Sequence, residues 1–461
     1  MRYAVLTDFG STYTKVVLAD LEKGRLLMGN KVPSTVHENA EIGLNQCYDM
    51  ARAVIGEKEF DSALKLATSS AAGGLRMAVV GLTKTLSYEA GRNAAFSAGA
   101  KIVCSASGAL SEEDLAAIES AKAEIVLLCG GYQQGNTAGV LHNARLLAES
   151  ALTIPVIYAG NSLAAREVRR LFFSRGKECF LAENIIPDIG RLNTESTAAI
   201  IRELFMSRIT NMKGVGVVQS RLDGPILPTP LAVLRAGTLL SKGTETEPGL
   251  GSVMMADIGG ATTDIYSYLD NQVYLGARCV GTPEPFAKRT VEGDMGMRES
   301  SVNLLGELGT ERFCRECGET EGFIQKAIEK RITDRAYLAD NRREKTLDYN
   351  IARCALSVSA RRHAGYIEKG YSNGLKLVQH GKNLTEVKTI VGTGGVIVNE
   401  EYPEEILRQA LVQPSEKGRL LLPDEAELLV DRNYVLFAAG LLQEYDEDAA
   451  LALMKESLGV V

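Results

Sequence analysis

The 461-residue chain has no excess of basic residues, no membrane-length apolar run and no Walker-type phosphate motif, and each absence removes a class of function. Its 51 Lys and Arg stand against 58 Asp and Glu, a formal net charge of −7, so it carries no electrostatic footprint for nucleic acid or for an anionic membrane. Every apolar run is too short to span a bilayer, and Met1-Arg2-Tyr3 enters strand-like sequence without a signal-peptide pattern, which predicts a cytoplasmic protein. No G-x-x-x-x-G-K-[ST] occurs, and neither the Cys129–Asn136 stretch nor the Tyr158–Asn161 stretch reads G-x-G-x-x-G, which argues against a P-loop and a Rossmann dinucleotide site. The eight cysteines are scattered. Cys314 and Cys317 form the sole close pair, and without a second C-x-x-C they read as free helical thiols rather than as ligands of zinc or an iron–sulfur cluster.

What the chain does have is one stretch written twice. Asp8-Phe9-Gly10-Ser11-Thr12-Tyr13-Thr14-Lys15 returns as Asp257-Ile258-Gly259-Gly260-Ala261-Thr262-Thr263-Asp264. Each copy follows a buried-strand pattern, residues 3–7 and 252–256, and strand-forming residues resume at once, so each is a hairpin turn rather than the start of a helix. Gly10, Gly259 and Gly260 allow close backbone approach, while Ser11, Thr12, Thr262 and Thr263 add small hydroxyls and amides suited to anionic oxygens.

The length predicts two lobes. After a helical pattern at 42–55 and a small-residue run, Ser69 to Gly74, that reads as a turn, strands at 77–80, 101–104, 124–129, 155–158 and 179–181 alternate with helices, which predicts a parallel sheet. Ser111 opens one of these helices with a capping-box spacing. A helix from Asn193 presents Ile201, Leu204, Phe205 and Ile209 on one face, and the proline-bearing stretch 221–247 reads as a passage between lobes. Residues 323–372 are helical and highly charged, a solvated pattern. A strand at 387–391 ends in a third glycine loop, Gly392-Thr393-Gly394-Gly395. A small-residue helix at 434–442 follows.

Two hairpin loops, then a strand ending in Gly-Thr-Gly-Gly, then a small-residue helix resemble the actin, sugar-kinase and heat-shock-chaperone ATPase superfamily over essentially the whole chain. The resemblance implies an α/β fold of two ribonuclease-H-like lobes around an interlobe nucleotide cleft: 1–190 as first lobe, 191–247 as helical passage, 248–425 as second lobe and 426–461 as a C-terminal helix returning to the first. It assigns Gly10, Ser11, Thr12, Gly259, Gly260, Thr262 and Thr263 to phosphates, and Gly392, Thr393, Gly394 and Gly395 to adenosine. The segments at 69–77, 159–161, 183–187 and 289–298 are more narrowly similar to the glutamate mutase accessory proteins, the MutL or GlmL family. This implies a slow, partner-coupled ATPase that acts as a reactivating chaperone for an adenosylcobalamin-dependent mutase. None of His37, His142, His363 and His380 lies in a D-x-H-x-x-G context, so the chain does not read as the mutase subunit itself.

The implied cofactors are ATP and Mg2+, with Asp8 and Asp257 as direct or water-mediated anchors of the cation. Lys15 reads either as a cation near the β-phosphate or as a solvated strand lysine. The superfamily comparison places the 130–136 loop beside the attacking water; where such accessory proteins carry an aspartate, this chain has Gln133 and Gln134, which orient a water without taking its proton and so predict slow hydrolysis. A small-molecule kinase and an actin-like scaffold are the rival readings of the same fold, and self-association stays open.

Overall fold

The computed structural model describes residues 1–460 except 11, 37, 71–74, 210–212, 299, 335–336 and 371–376, with only the backbone at 208, 209 and 308. In chain order the strands are β1 (Tyr3–Phe9), β2 (Tyr13–Asp20), β3 (Arg25–Pro33), β4 (Leu64–Ser69), β5 (Arg76–Gly81), β6 (Lys101–Ser107), β7 (Ile125–Cys129), β8 (Val156–Tyr158), β9 (Cys179–Leu181), β10 (Leu227–Pro228), β11 (Val253–Ile258), β12 (Thr263–Tyr268), β13 (Ala277–Val280), β14 (Ala287–Glu292), β15 (Tyr366–Lys369), β16 (Leu377–His380), β17 (Thr389–Thr393) and β18 (Glu427–Val430).

The chain builds one sheet topology twice. In the first sheet the order is β10-β4-β1-β2-β3 and in the second it is β18-β17-β11-β12-β14. In each, a central strand pairs antiparallel with the next strand in sequence and parallel with a later one, which pairs parallel in turn with the strand at its edge. The central strands are buried on both faces, as near-continuous apolar runs such as Ala4-Val5-Leu6 and Val253-Met254-Met255-Ala256 require. A fold of α/β class with two matched halves follows.

Between residues 76 and 181 lies a third sheet, separate from the first in its strand pairing. Its five strands are all parallel, in the order β6-β5-β7-β8-β9, so in sequence order the sheet runs 2-1-3-4-5, a doubly wound arrangement. The helix Glu112–Ser120 begins with the capping box expected from Ser111, closed by Asp114. A three-stranded sheet, β13-β16-β15, sits beside the second half.

The two matched sheets share a core. Leu6 and Leu66 from the first and Met255 and Val391 from the second pack with Val233 and Leu240 of the helix Thr229–Lys242 and with Leu441 of the helix Leu436–Leu442. Each fully buried leucine or valine there is worth about 1.5–3 kcal/mol of burial. The two helices cross at backbone contact, because a side chain on Gly440 would collide with the carbonyl of Ala232.

Candidate functional site

Both written-twice stretches form hairpin turns, β1 to β2 and β11 to β12, and both open on one cleft of about 1070 Å³. Asp8, Gly10, Thr12 and Lys15 line it from the first half; Asp257, Gly259 and Gly260 line it from the second. The third glycine loop reaches the same cleft through Thr393, Gly394 and Gly395. Gly394 has φ +97° and lies so close to the backbone of Ile258 that no side chain fits, which seats the third loop on the end of β11.

The two aspartates occupy equivalent positions. Asp8 pairs across its hairpin with Lys15 and beside Thr68 of the parallel neighbour; Asp257 pairs with Asp264 and Thr393. Asp8 is 2% exposed. Its Oδ1 accepts from Thr68 Oγ1 at 2.9 Å and Thr229 Oγ1 at 2.6 Å, and its Oδ2 lies 3.7 Å from Lys15 Nζ. No donor among the described residues bonds the Asp257 carboxylate. Burial, then the neighbouring Asp264, with smaller contributions from Asp8 and Asp431, pushes its pKa up to about 6 against the opposing charge of Lys15.

Lys15 is therefore more than a solvated strand lysine. Its ammonium stands over the Tyr434 ring, 4.9 Å from the centroid, and borders both aspartates. Tyr434 holds φ +54°, a left-handed conformation that costs a non-glycine residue energy and persists where the surroundings impose it. Asp431, 1% exposed, fixes that segment by accepting from the Val435 and Leu436 amides and from Ser457 Oγ at 3.0, 3.3 and 2.6 Å.

Arg298 forms the wall beyond the second turn. Its amide donates to the carbonyl of Gly260 at 2.8 Å, and its guanidinium pairs with both oxygens of Asp348 at 3.1 Å. Asp348 also receives the fully buried Arg331 at 2.8 Å, so the charged helices Glu321–Thr333 and Arg342–His363 are anchored to the turn through a buried network rather than being wholly solvated.

A family model described as MutL protein matches residues 4–458. The protein described as Protein MutL from Clostridium tetanomorphum is 36% identical over 456 residues, covering 98% of each chain. The chain belongs to the MutL family. With that membership it is an ATP-hydrolysing accessory protein of a cobalamin-dependent mutase. Among solved structures, an acetone carboxylase in a nucleotide-free state is 13% identical over 95% of this chain and 70% of its own, TM-score 0.38. A xylulose kinase from Bifidobacterium adolescentis is 13% identical over 97% and 92%, TM-score 0.32. Likenesses at such scores carry no weight for fold or function.

Several residues picked from the sequence stand elsewhere in this MutL-family fold. No described residue between 71 and 228 lines the cleft. Gln133 and Gln134 belong to the loop after β7, where Gln133 bonds Ser162 and the Gln134 amide donates to Asn161 Oδ1 at 3.3 Å. Neither lines the cleft, and both lie in the parallel-sheet body, a placement that a loop motif alone does not reveal. Thr263 is fully buried and donates to the Met295 carbonyl; Thr262 turns its hydroxyl to Asp264 at 3.1 Å; Gly392 packs against Ile397 and Leu407. None of these three is part of the lining. Ser11 and the 71–74 part of the small-residue run lie outside the described residues. Arg298, Asp431 and Tyr434 were missed. Arg298 closes the family-like segment 289–298, and an aspartate a few residues before a small-residue helix is a capping signal that points to Asp431.

Proposed function

We propose that the cleft binds magnesium ATP and that its occupancy drives release of damaged cobalamin from an adenosylcobalamin-dependent mutase such as glutamate mutase. The observation that carries this reading is the convergence of the two matched turns and the third glycine loop on one cleft. The two matched sheets then act as ribonuclease-H-like lobes, with 1–190, 191–247, 248–425 and 426–461 as working divisions of the chain and the parallel sheet as an insertion in the first.

The residues fit a hard cation. Asp257 offers a carboxylate with no donor among the described residues, crowded by other carboxylates, and Asp8 lines the same cleft. Bound magnesium would supply charge neutralisation for the phosphates. The amides of Gly260 and Ala261 have no acceptor among the described residues and are available to phosphate oxygens. Lys15, held by Asp8 and the Tyr434 ring, places a fixed positive charge between the two turns. A cytoplasmic setting and free thiols agree with the cysteine pattern.

The test is reactivation. A mutase bearing inactive cobalamin is incubated with this protein, ATP, Mg2+ and free adenosylcobalamin, and recovered turnover is measured. Recovery that requires ATP supports the reading, and recovery equal with ADP would reject coupling to nucleotide state, because a ligand shifts an equilibrium only by its differential affinity.

A further inference from the structure

The second turn is tied to a body none of whose described residues lines the cleft. Arg289 of β14 is 5% exposed, and its guanidinium lies 2.6 Å (Nη2) and 2.8 Å (Nε) from Asp264 Oδ1. The same guanidinium donates from Nη1 to the carbonyls of Phe96 at 3.2 Å and Ala100 at 3.4 Å. Those carbonyls mark the C-terminal end of the helix Glu89–Ser97, which runs between β5 and β6 of the parallel sheet. Asp264 in turn accepts from Thr262 Oγ1 at 3.1 Å and sits directly across the hairpin from Asp257.

The chemistry suits a connector. A guanidinium presents several donors in a rigid fork and can serve a carboxylate and a helix terminus at once, whereas an ammonium is a point charge on a flexible stem. The terminus itself favours a cation, since it carries the negative end of the helix dipole. Thr282 makes a parallel junction nearby, donating to the carbonyls of Thr85 and Leu86 at 3.0 Å each. On the far side of the helix, Gly91 lies against Cys129 Sγ and Val79 with no room for a Cβ. Cys129 is the last residue before the Gly130–Asn136 loop, so displacement of the helix reaches that loop.

We propose that Arg289 is a positioning residue that couples the ligand state of the second turn to the parallel-sheet body, with the last turn of the Glu89–Ser97 helix as the receiving end. The proposal rests on the nucleotide reading of the cleft, and the experiment separates the two. Calorimetry of the wild-type protein with magnesium ATP comes first; no binding would overturn both readings at once. Amide hydrogen exchange then follows Ala98, Gly99 and Ala100, whose amides donate to Ala94, Phe96 and Ala95 at the helix end. In the wild type, ATP is expected to change their exchange about tenfold, within the usual range of coupling between sites. Arg289→Lys keeps a charge for Asp264 but loses the fork; it is expected to bind ATP within about threefold of wild type while the exchange response falls below about twofold. A second variant, Asp264→Asn with Arg289→Gln, replaces the buried ion pair with neutral amides and guards against misfolding from an unpaired charge. It should lose the response as well. ATP binding without any change at these amides in the wild type, or an unchanged response in a folded variant, would overturn the proposal.

Discussion

The two hairpins place an aspartate at the same point of the same topology and then treat it oppositely. Asp8 faces Lys15 across its hairpin and takes two threonine hydroxyls; Asp257 faces Asp264 and takes no donor among the described residues. One carboxylate is satisfied by the protein and the other is held charged at a cost, with a pKa of about 6. On the proposed reading of the cleft, the difference gives Asp8 a chiefly architectural role and Asp257 the ligand chemistry. It arises from a single cross-strand choice, lysine against aspartate, with Arg289 taking up the second aspartate.

The largest effect that sharpens this contrast is expected for Asp257→Asn. Magnesium-dependent ATP turnover should fall about 100-fold or more, while the melting temperature stays level or rises because a repelled charge is gone. Parallel loss of stability and turnover would erase the distinction between the aspartates. Asp8→Ala is expected to do the reverse in emphasis: it leaves the buried Thr68 hydroxyl and the half-buried Thr229 hydroxyl without their acceptor and should cost about 1–3 kcal/mol in denaturant unfolding, with the fold failing before the chemistry.

A third expectation concerns pH. The folded-state pKa of Asp257 lies above the ordinary carboxylate value of 3.8, so without a cation the folded state loses stability as pH rises from that value to about 6. Magnesium needs the charged form. Its affinity, measured by titration calorimetry, should therefore tighten by roughly tenfold per pH unit below about 6 and level off above it. A flat profile would place the cation elsewhere. The smallest effect is expected for Gln133→Asp and Gln134→Ala, which should leave basal hydrolysis within about twofold because both residues belong to the parallel sheet; a large increase in phosphate release by Gln133→Asp would return that loop to the cleft.

Both turns, both aspartates and the third loop were legible in the sequence because each is a local pattern: a strand, a glycine and small hydroxyls within eight residues. The parallel alternation at 76–181 was legible too, but its independence was not, since strand order depends on pairings between residues far apart. Gln133 and Gln134 follow β7 of that sheet, a position set by those distant pairings. Tyr434 gave no signal, because left-handed backbone at a tyrosine is dictated by its neighbours rather than by its type. The Asp264 to Arg289 pair was hidden for the same reason: strand register brings the two together.

The shared core also sets a schedule for synthesis. Leu6, Val17 and Leu66 are made well before their packing partners Leu441, Leu451 and Leu453, which follow them by hundreds of residues. The helix Glu447–Leu458 lies against the first sheet, with Glu456 accepting from the amide of Leu26 at 2.7 Å. At ordinary translation rates of 5–20 residues per second, the part of the β1, β2 and β4 face that the C-terminal helices cover waits about 20–90 s for them. Part of the first sheet's apolar face is thus completed only by the C-terminal helices.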